Sequence, residues 1–296
     1  MRTIIALIAL LIVLPAHAVA QWQHEPPGSR VLLDCRWDHP TCNDALTDPY
    51  HSAFNSVTIV QDPSAPVSPS NVGNSKLVYP SNTGGTELHY TAPQEIRNVY
   101  VAIIWRPSNP FGGNRPGLNK LFFIRRKTLD SNGVFMWTYR FSDTIEGNGN
   151  LGEIHFNTQT PYTNTDRCGV DGLVCRANAG VSKRIFPGDG WHKLEAQFTG
   201  GSCRTCPDGT LTWWIDGELQ GYYPNFVYTT VPDNIVWSET WDGPTGGNGY
   251  VPDGYTSDQS HNWDHWHIST TDNVVGTDNP PGPPSAPILS TVQVIE

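Results

Sequence analysis

From Val57 to Ser269 one pattern recurs: a short run rich in Val, Ile, Phe, Trp and Tyr, closed by Gly, Pro, Asn or Asp. The clear runs are Val57–Gln61, Asn98–Arg106, Lys120–Lys127, Val134–Phe141, Gly152–Thr158, His192–Phe198, Thr210–Asp216, Asn234–Glu239 and Trp263–Ser269. Runs of that length punctuated by turn residues are strands, and many of them in sequence make an antiparallel sandwich. Alternation within the runs agrees. Phe135, Trp137 and Tyr139 share one face of their run, and Met136, Thr138 and Arg140 share the other. No strong amphipathic helix period occurs. Gly (28) and Pro (25) make about 18% of the chain, above the usual ~12%. Coiled coil, helical bundle and acidic disordered chain are excluded on that balance. The 296 residues suit one all-β unit, which commonly reaches ~200–250 residues, plus its flanks. Gln61 to Thr86 reads as loop, with DPSAPVSPSN and SNTGG.

The ends differ from the middle. Met1–Ala20 has one basic residue, Arg2, then an apolar run from Ile4 to Leu14 and small residues up to Ala20. That is the layout of a secretory signal peptide, and the run is shorter than the ~20 residues of a membrane span. Residues 21–278 are expected to form one domain. Residues 279–296 begin with the stiff spacer Asn279-Pro280-Pro281-Gly282-Pro283-Pro284 and end in an apolar tail or closing strand. The expectation is a secreted or periplasmic protein. In an oxidising compartment the six cysteines read as local bridges, Cys35 with Cys42, Cys168 with Cys175, and Cys203 with Cys206. Six cysteines permit 15 connectivities, so spacing leaves the pairing open. A redox or zinc reading of Cys203-x-x-Cys206 lacks βαβ surroundings and a second such motif.

Net charge is −10, against nucleic-acid binding. Every Lys and Arg lies at or before Arg204, so residues 1–204 carry +2 and residues 205–296 carry −12. Asp233, Asp242, Asp253, Asp258, Asp264, Asp272 and Asp278 lie mostly in Gly, Asn or Pro loops, a composition that suits calcium.

Two constellations could do chemistry. Arg125 with Lys127, Thr138 with Arg140, and Glu153 with His155 and Asn157 each share a face of a run. Were these faces to line one sheet, they would gather cations, an acid, an imidazole and an amide. Arg125, Lys127, Glu153 and Asn157 are then substrate-binding candidates, and Arg140 and His155 catalytic ones. A polysaccharide lyase needs a cation or amide to neutralise the uronate carboxylate and a base to take the C5 proton. On that reading Tyr139, opposite in face to Arg140, is a poor partner. The plain alternative is a solvated face with ion pairs worth little each. The second constellation is His261-Asn262-Trp263-Asp264-His265-Trp266-His267. His265 and His267 fall on one strand face, as a sugar-binding rim or, given a third ligand, a transition-metal site. The plain alternative is a half-exposed final strand with Trp266 and Ile268 inward.

Several strings carry a family likeness. Gly117–Ile124, the Trp191-His192-Lys193-Leu194-Glu195 strand, the Asp208–Gly217 hairpin with Trp214-Ile215-Asp216-Gly217, and Trp263–Ser269 resemble the concanavalin A-like (LamG-like) jelly-roll proteins. The likeness covers roughly residues 30–272. It implies an all-β, two-sheet antiparallel jelly-roll sandwich with a concave-face groove, and often one structural calcium. It implies a secreted protein that binds extracellular polysaccharide, its aromatics stacking on sugar rings. Alternatives are a lyase cleaving uronate-containing glycans by β-elimination, and an adhesion module with no sugar site. The fold hosts lectins, glycosidases and lyases alike, so activity must come from the site. The Glu-x-Asp-x-x-Glu string of the jelly-roll glucanases is missing, which counts against that activity. The alginate-lyase strings are absent too, with Glu153-Ile154-His155 a loose echo.

Overall fold

The computed structural model describes residues 22–37, 58–67, 71–78, 83–84, 87–91, 96–111, 118–126, 133–139, 154–158, 174–175, 183–202, 208–226, 234–239 and 258–273. Strands are numbered β1 to β15 in chain order. One sheet runs β13 (Glu218–Phe226), β12 (Gly209–Ile215), β11 (His192–Thr199), β6 (Asn98–Pro107), β15 (Gln259–Thr270), β3 (Asn71–Val78) and β2 (Thr58–Gln61). β1 (Arg30–Arg36) also pairs with β15, and β4 (Thr83–Gly84) with β3, which makes nine strands. The other sheet has six: β10 (Val174–Cys175), β9 (Ile154–Thr158), β8 (Gly133–Tyr139), β7 (Leu118–Arg126), β14 (Asn234–Glu239) and β5 (Glu87–Thr91). Every pairing is antiparallel. Each of the nine strand-like runs of the sequence holds a strand, with ends shifted by a few residues.

The core lies between the sheets. Val101, Ile103 and Trp105 of β6, Leu194 and Phe198 of β11, and Trp213 of β12 project into it from the larger sheet. Leu121 of β7 and Ile154 of β9 reach the same cluster from the smaller one. The alternate residues of β6, Tyr100, Ala102 and Ile104, form a second apolar layer on the outer face of the larger sheet, where Trp22 packs. Alternation thus sends one set of β6 side chains to each side, and both sides are covered. That covering is why β15 is buried along almost its whole length. The half-exposed strand expected from its sequence is corrected on this point, although Trp266 and Ile268 do pack inward.

The expected loop from Gln61 to Thr86 is also corrected, because it contains β3 and β4. β3 has little apolar pattern, but it is paired on both sides, to β2 and to β15. Its Gly73 leaves room for an indole: a Cβ there would lie 2.5 Å from Trp37 Cε2. The glycine that weakens the strand signal is a packing requirement.

Candidate functional site

The smaller sheet's outer face follows from its register, since residues directly opposite in antiparallel strands share a face. Ile154 faces the core, and it pairs with Thr138. Position 138 is therefore on the core side, and Phe135, Trp137 and Tyr139 take the opposite parity. His155 pairs with Trp137, and Asn157 with Phe135. Across β7, Phe123 pairs with Phe135, Arg125 with Gly133 and Lys120 with Trp137, past a bulge at Leu121. Ile235 of β14 pairs with Arg125 and Trp237 with Phe123, and on β5 the partner of Trp237 is His89. One sheet face thus collects positions 87, 89, 91, 118, 120, 123, 125, 133, 135, 137, 139, 155, 157, 235, 237 and 239, with glutamates at 87 and 239. Positions 125, 155, 157 and 139 therefore share one face of the sheet. The face read from Thr138 and Arg140 is not shared with His155, because Thr138 lies opposite Ile154. Lys127, Arg140 and Glu153 lie outside the described residues.

His265 and His267 stand on the other sheet, in β15, on its outer face. They share that face as the sequence indicates, after a bulge between Trp263 and His265. A rim role in saccharide contact does not fit them. They are 0% and 3% exposed, beneath the ring of Trp22. That ring lies 5.3 Å from His267, stacked, and 4.9 Å from His265, edge-on. Asp34 of β1, opposite His267 in register, brings its Oδ1 2.6 Å from His265 Nε2 and 3.1 Å from His267 Nδ1. Glu25 closes the other side, its Oε1 2.9 Å from His267 Nε2. Burial raises the Asp34 carboxyl, but hydrogen bonds from both imidazoles outweigh it and hold it well below the usual carboxylate range. Burial likewise raises Glu25, and the His267 hydrogen bond brings it lower still. For His267 burial disfavours the proton, yet the two carboxylates overcome that and raise its pKa. His265 goes the other way, lowered chiefly by burial.

The segment that covers these groups, residues 22–29, is pinned beside them by Glu195. That carboxylate is fully buried. It accepts the Tyr100 hydroxyl and the His24 backbone N–H, and it lies 3.2 Å from His24 Nδ1 and 3.4 Å from Lys193 Nζ. Taking a carboxylate out of water costs several kcal/mol, an amount only a full set of donors offsets. The His24 ring then stacks on Trp214 at 4.3 Å. Tyr100 stays a phenol, since burial and the Glu195 charge both push its pKa up. None of Trp22, His24, Glu25 and Tyr100 carries a motif; Glu195 ends the Trp191–Glu195 string without a role read from it, and His265-x-His267 is the sequence signal for this patch.

Of the acidic loop residues, Asp264 accepts Val67 N–H at 2.6 Å and Asp272 takes the backbone N–H groups of Arg97 and Asn98. Asp258 is also engaged. Asp233, Asp242, Asp253 and Asp278 lie outside the described residues. Cys35 is disulfide-bonded. Cys42, Cys168, Cys203 and Cys206 lie outside the described residues, and Cys175 is placed as backbone in β10. Among the described residues no helix is long and apolar enough to cross a membrane.

No protein-family model matches the chain, and no curated protein matches it. Solved structures do. An endo-β-1,4-glucuronan lyase from the fungus Trichoderma reesei superposes with a TM-score of 0.52 at 12% identity, over 81% of this chain and 95% of that one. The cellulose-induced protein Cip1 gives 0.48 at 13% identity, over 82% and 100%. The alginate lyase Aly36B gives 0.47 at 14%, over 82% and 96%. These likenesses concern the fold. The chain is a two-sheet antiparallel jelly roll, the fold it shares with the glucuronan lyase.

Proposed function

We propose that this is an exported protein that holds an acidic polysaccharide across the outer face of the six-stranded sheet. The observation that carries the reading is the register, which sets Arg125, His155 and Asn157 on the same face as Phe123, Phe135, Trp137 and Trp237. Aromatic positions suit the apolar faces of sugar rings, and interspersed polar ones suit hydroxyls and carboxylates. The local charge supports a uronate. Residues 118–140 hold five basic residues and one acid in a chain of net charge −10, and of these positions 120 and 125 fall on this face, with the acidic positions 87 and 239 at its β5–β14 side. The glucuronan lyase among the neighbours acts on a polymer of that chemistry. The leader-like residues 1–20 support export, and calcium in the acidic loops remains part of this reading. The test is electrophoresis through gels cast with glucuronan, alginate or a neutral β-glucan. Retardation in the uronate gels, lost in Arg125→Ala, is the expected result. Equal mobility in all gels overturns the proposal and favours an adhesion module.

A second reading is favoured by one observation: Tyr139, on the parity opposite Arg140, is on the parity of His155. A phenol and an imidazole on one face supply the two proton carriers of β-elimination. One takes the C5 proton of the uronate, the C4–O bond breaks, and the other protonates the departing oxygen, leaving a C4–C5 double bond. Arg125 or Asn157 would neutralise the carboxylate meanwhile. Growth of the ultraviolet band of an unsaturated uronate, abolished by His155→Ala and by Tyr139→Phe, is the expected signature. Retardation with no such growth leaves binding alone.

A further inference from the structure

The geometry points to a zinc site formed by Asp34, His265 and His267, with Glu25 orienting His267. It is independent of the saccharide face, which lies on the other sheet.

The three donor atoms, Asp34 Oδ1, His265 Nε2 and His267 Nδ1, all lie within 4.8 Å of one another. Two imidazoles and a carboxylate are a donor set for zinc and its first-row neighbours, whereas calcium prefers oxygen alone. With metal–ligand bonds of ~2.0–2.1 Å, tetrahedral zinc sets its donors about 3.3 Å apart. The carboxylate now lies at 2.6 and 3.1 Å from the two nitrogens. Room for the ion is made when the Asp34 carboxylate moves outward from the two imidazoles. Asp34 can make that shift because its side chain is 37% exposed, whereas the imidazoles beside it are held by packing. The same exposure gives the ion a way in, on the side where Arg36 Nε lies 3.6 Å from Asp34 Oδ2.

The surroundings of His267 add a second, independent argument. Its Nδ1 faces Asp34 and its Nε2 faces Glu25. A histidine that binds a metal through one nitrogen usually donates its other N–H to a carboxylate, which fixes the tautomer and ring orientation. Glu25 is placed for that. Bound zinc would join β1 to β15 directly and the segment at residues 22–29 to both through Glu25.

The test uses the full chain, stripped with chelator and titrated with zinc by calorimetry, and loaded with cobalt for its visible spectrum. The expected result is one zinc per chain, a raised melting temperature, and a cobalt spectrum of four-coordinate type. Glu25→Gln is expected to weaken zinc about 10- to 100-fold, and Asp34→Asn more than that. Asp34 is exposed and Asn has its shape, so this variant keeps the fold, which far-ultraviolet circular dichroism verifies. A wild-type chain that takes up no zinc overturns the proposal. So does zinc that binds wild type and Asp34→Asn equally, because it would then sit elsewhere.

Discussion

His261 shows how one buried side chain sets a pH dependence. It is 1% exposed, and Trp105 Nε1 donates to its Nδ1 at 2.9 Å. That bond requires a lone pair on Nδ1, so the ring is neutral, and burial pushes its pKa down to about 3 from 6.5. Between those values the unfolded chain binds a proton that the folded chain does not. Stability is therefore unaffected above the higher value and falls as pH drops below it, by up to ~1.4 kcal/mol per pH unit. Gln at this position keeps an acceptor for Trp105 and has no proton to gain. Urea unfolding of His261→Gln at about pH 7 and about pH 4 should show a smaller gap than wild type. Gly73 makes a steric case at the same scale. Its Cβ would lie 2.5 Å from a carbon of Trp37, a residue 1% exposed, so the ring has nowhere to move. Gly73→Ala should cost about 1–3 kcal/mol in chemical denaturation, the ordinary cost of overpacking.

Among the elements, the β12–β13 hairpin depends most on a single residue. Asp216 and Gly217 have φ of 51° and 82°, the left-handed pair of a two-residue hairpin turn. The Asp216 carboxylate accepts Lys193 N–H at 2.8 Å and lies 2.8 Å from His192 Nδ1 and 3.0 Å from Lys183 Nζ. Burial raises its pKa, but the His192, Lys193 and Lys183 hydrogen bonds outweigh it and bring it down to about 2. The stability it contributes is full above the ordinary aspartate value near 3.8 and is lost as pH falls through about 2. Asp216→Ala loses these partners and puts a Cβ-bearing residue without local hydrogen bonds at positive φ. About 2–3 kcal/mol should be lost. Asp216→Asn, at home in that conformation, should lose less, while its acid transition should lack this carboxylate's share. Denaturation of both variants across the acid range checks the pair. The turn falls at the end of the Trp214-Ile215-Asp216-Gly217 string that carries the family likeness, and the nine apolar runs were readable as strands. β3 and β13 were not, for a shared reason. Gly73 and Gly221 count against a strand by propensity, yet each makes room for a tryptophan, Gly221 for Trp213. Propensity describes the residue alone, whereas the strand is set by the ring that passes over it.

At the scale of the molecule, alternation along one strand shows which residues share a face but not which faces of neighbouring strands match. The sequence therefore grouped residues along each strand, Glu153 with His155 and Asn157 and Thr138 with Arg140, but could not show that position 138 lies on the face opposite to 155. The Thr138–Ile154 pairing is what puts position 139 on the same sheet face as position 155. The histidine cluster was half legible for the same reason. His265-x-His267 is a local pattern, but Asp34 lies 231 residues away from its partner His265.

Charge distribution is a whole-molecule property the sequence does show, and it yields a prediction that separates two modes of binding. All eighteen basic residues precede the acidic final third, and five of them fall between residues 118 and 140. On the proposed reading a uronate chain is held partly by the charges of that region, and attraction between charges in water fades once the screening length drops below ~10 Å, above about 0.1 M salt. Retardation in a glucuronan gel should therefore weaken steeply as salt rises from about 0.05 to about 0.5 M. Arg125→Ala should flatten that dependence as well as lower retardation at the starting point. Stacking on aromatic faces does not weaken with salt, because burial of apolar surface is insensitive to screening. Retardation that persists unchanged at high salt would place the affinity on the aromatic positions, and Trp137→Ala would then be the variant that abolishes it.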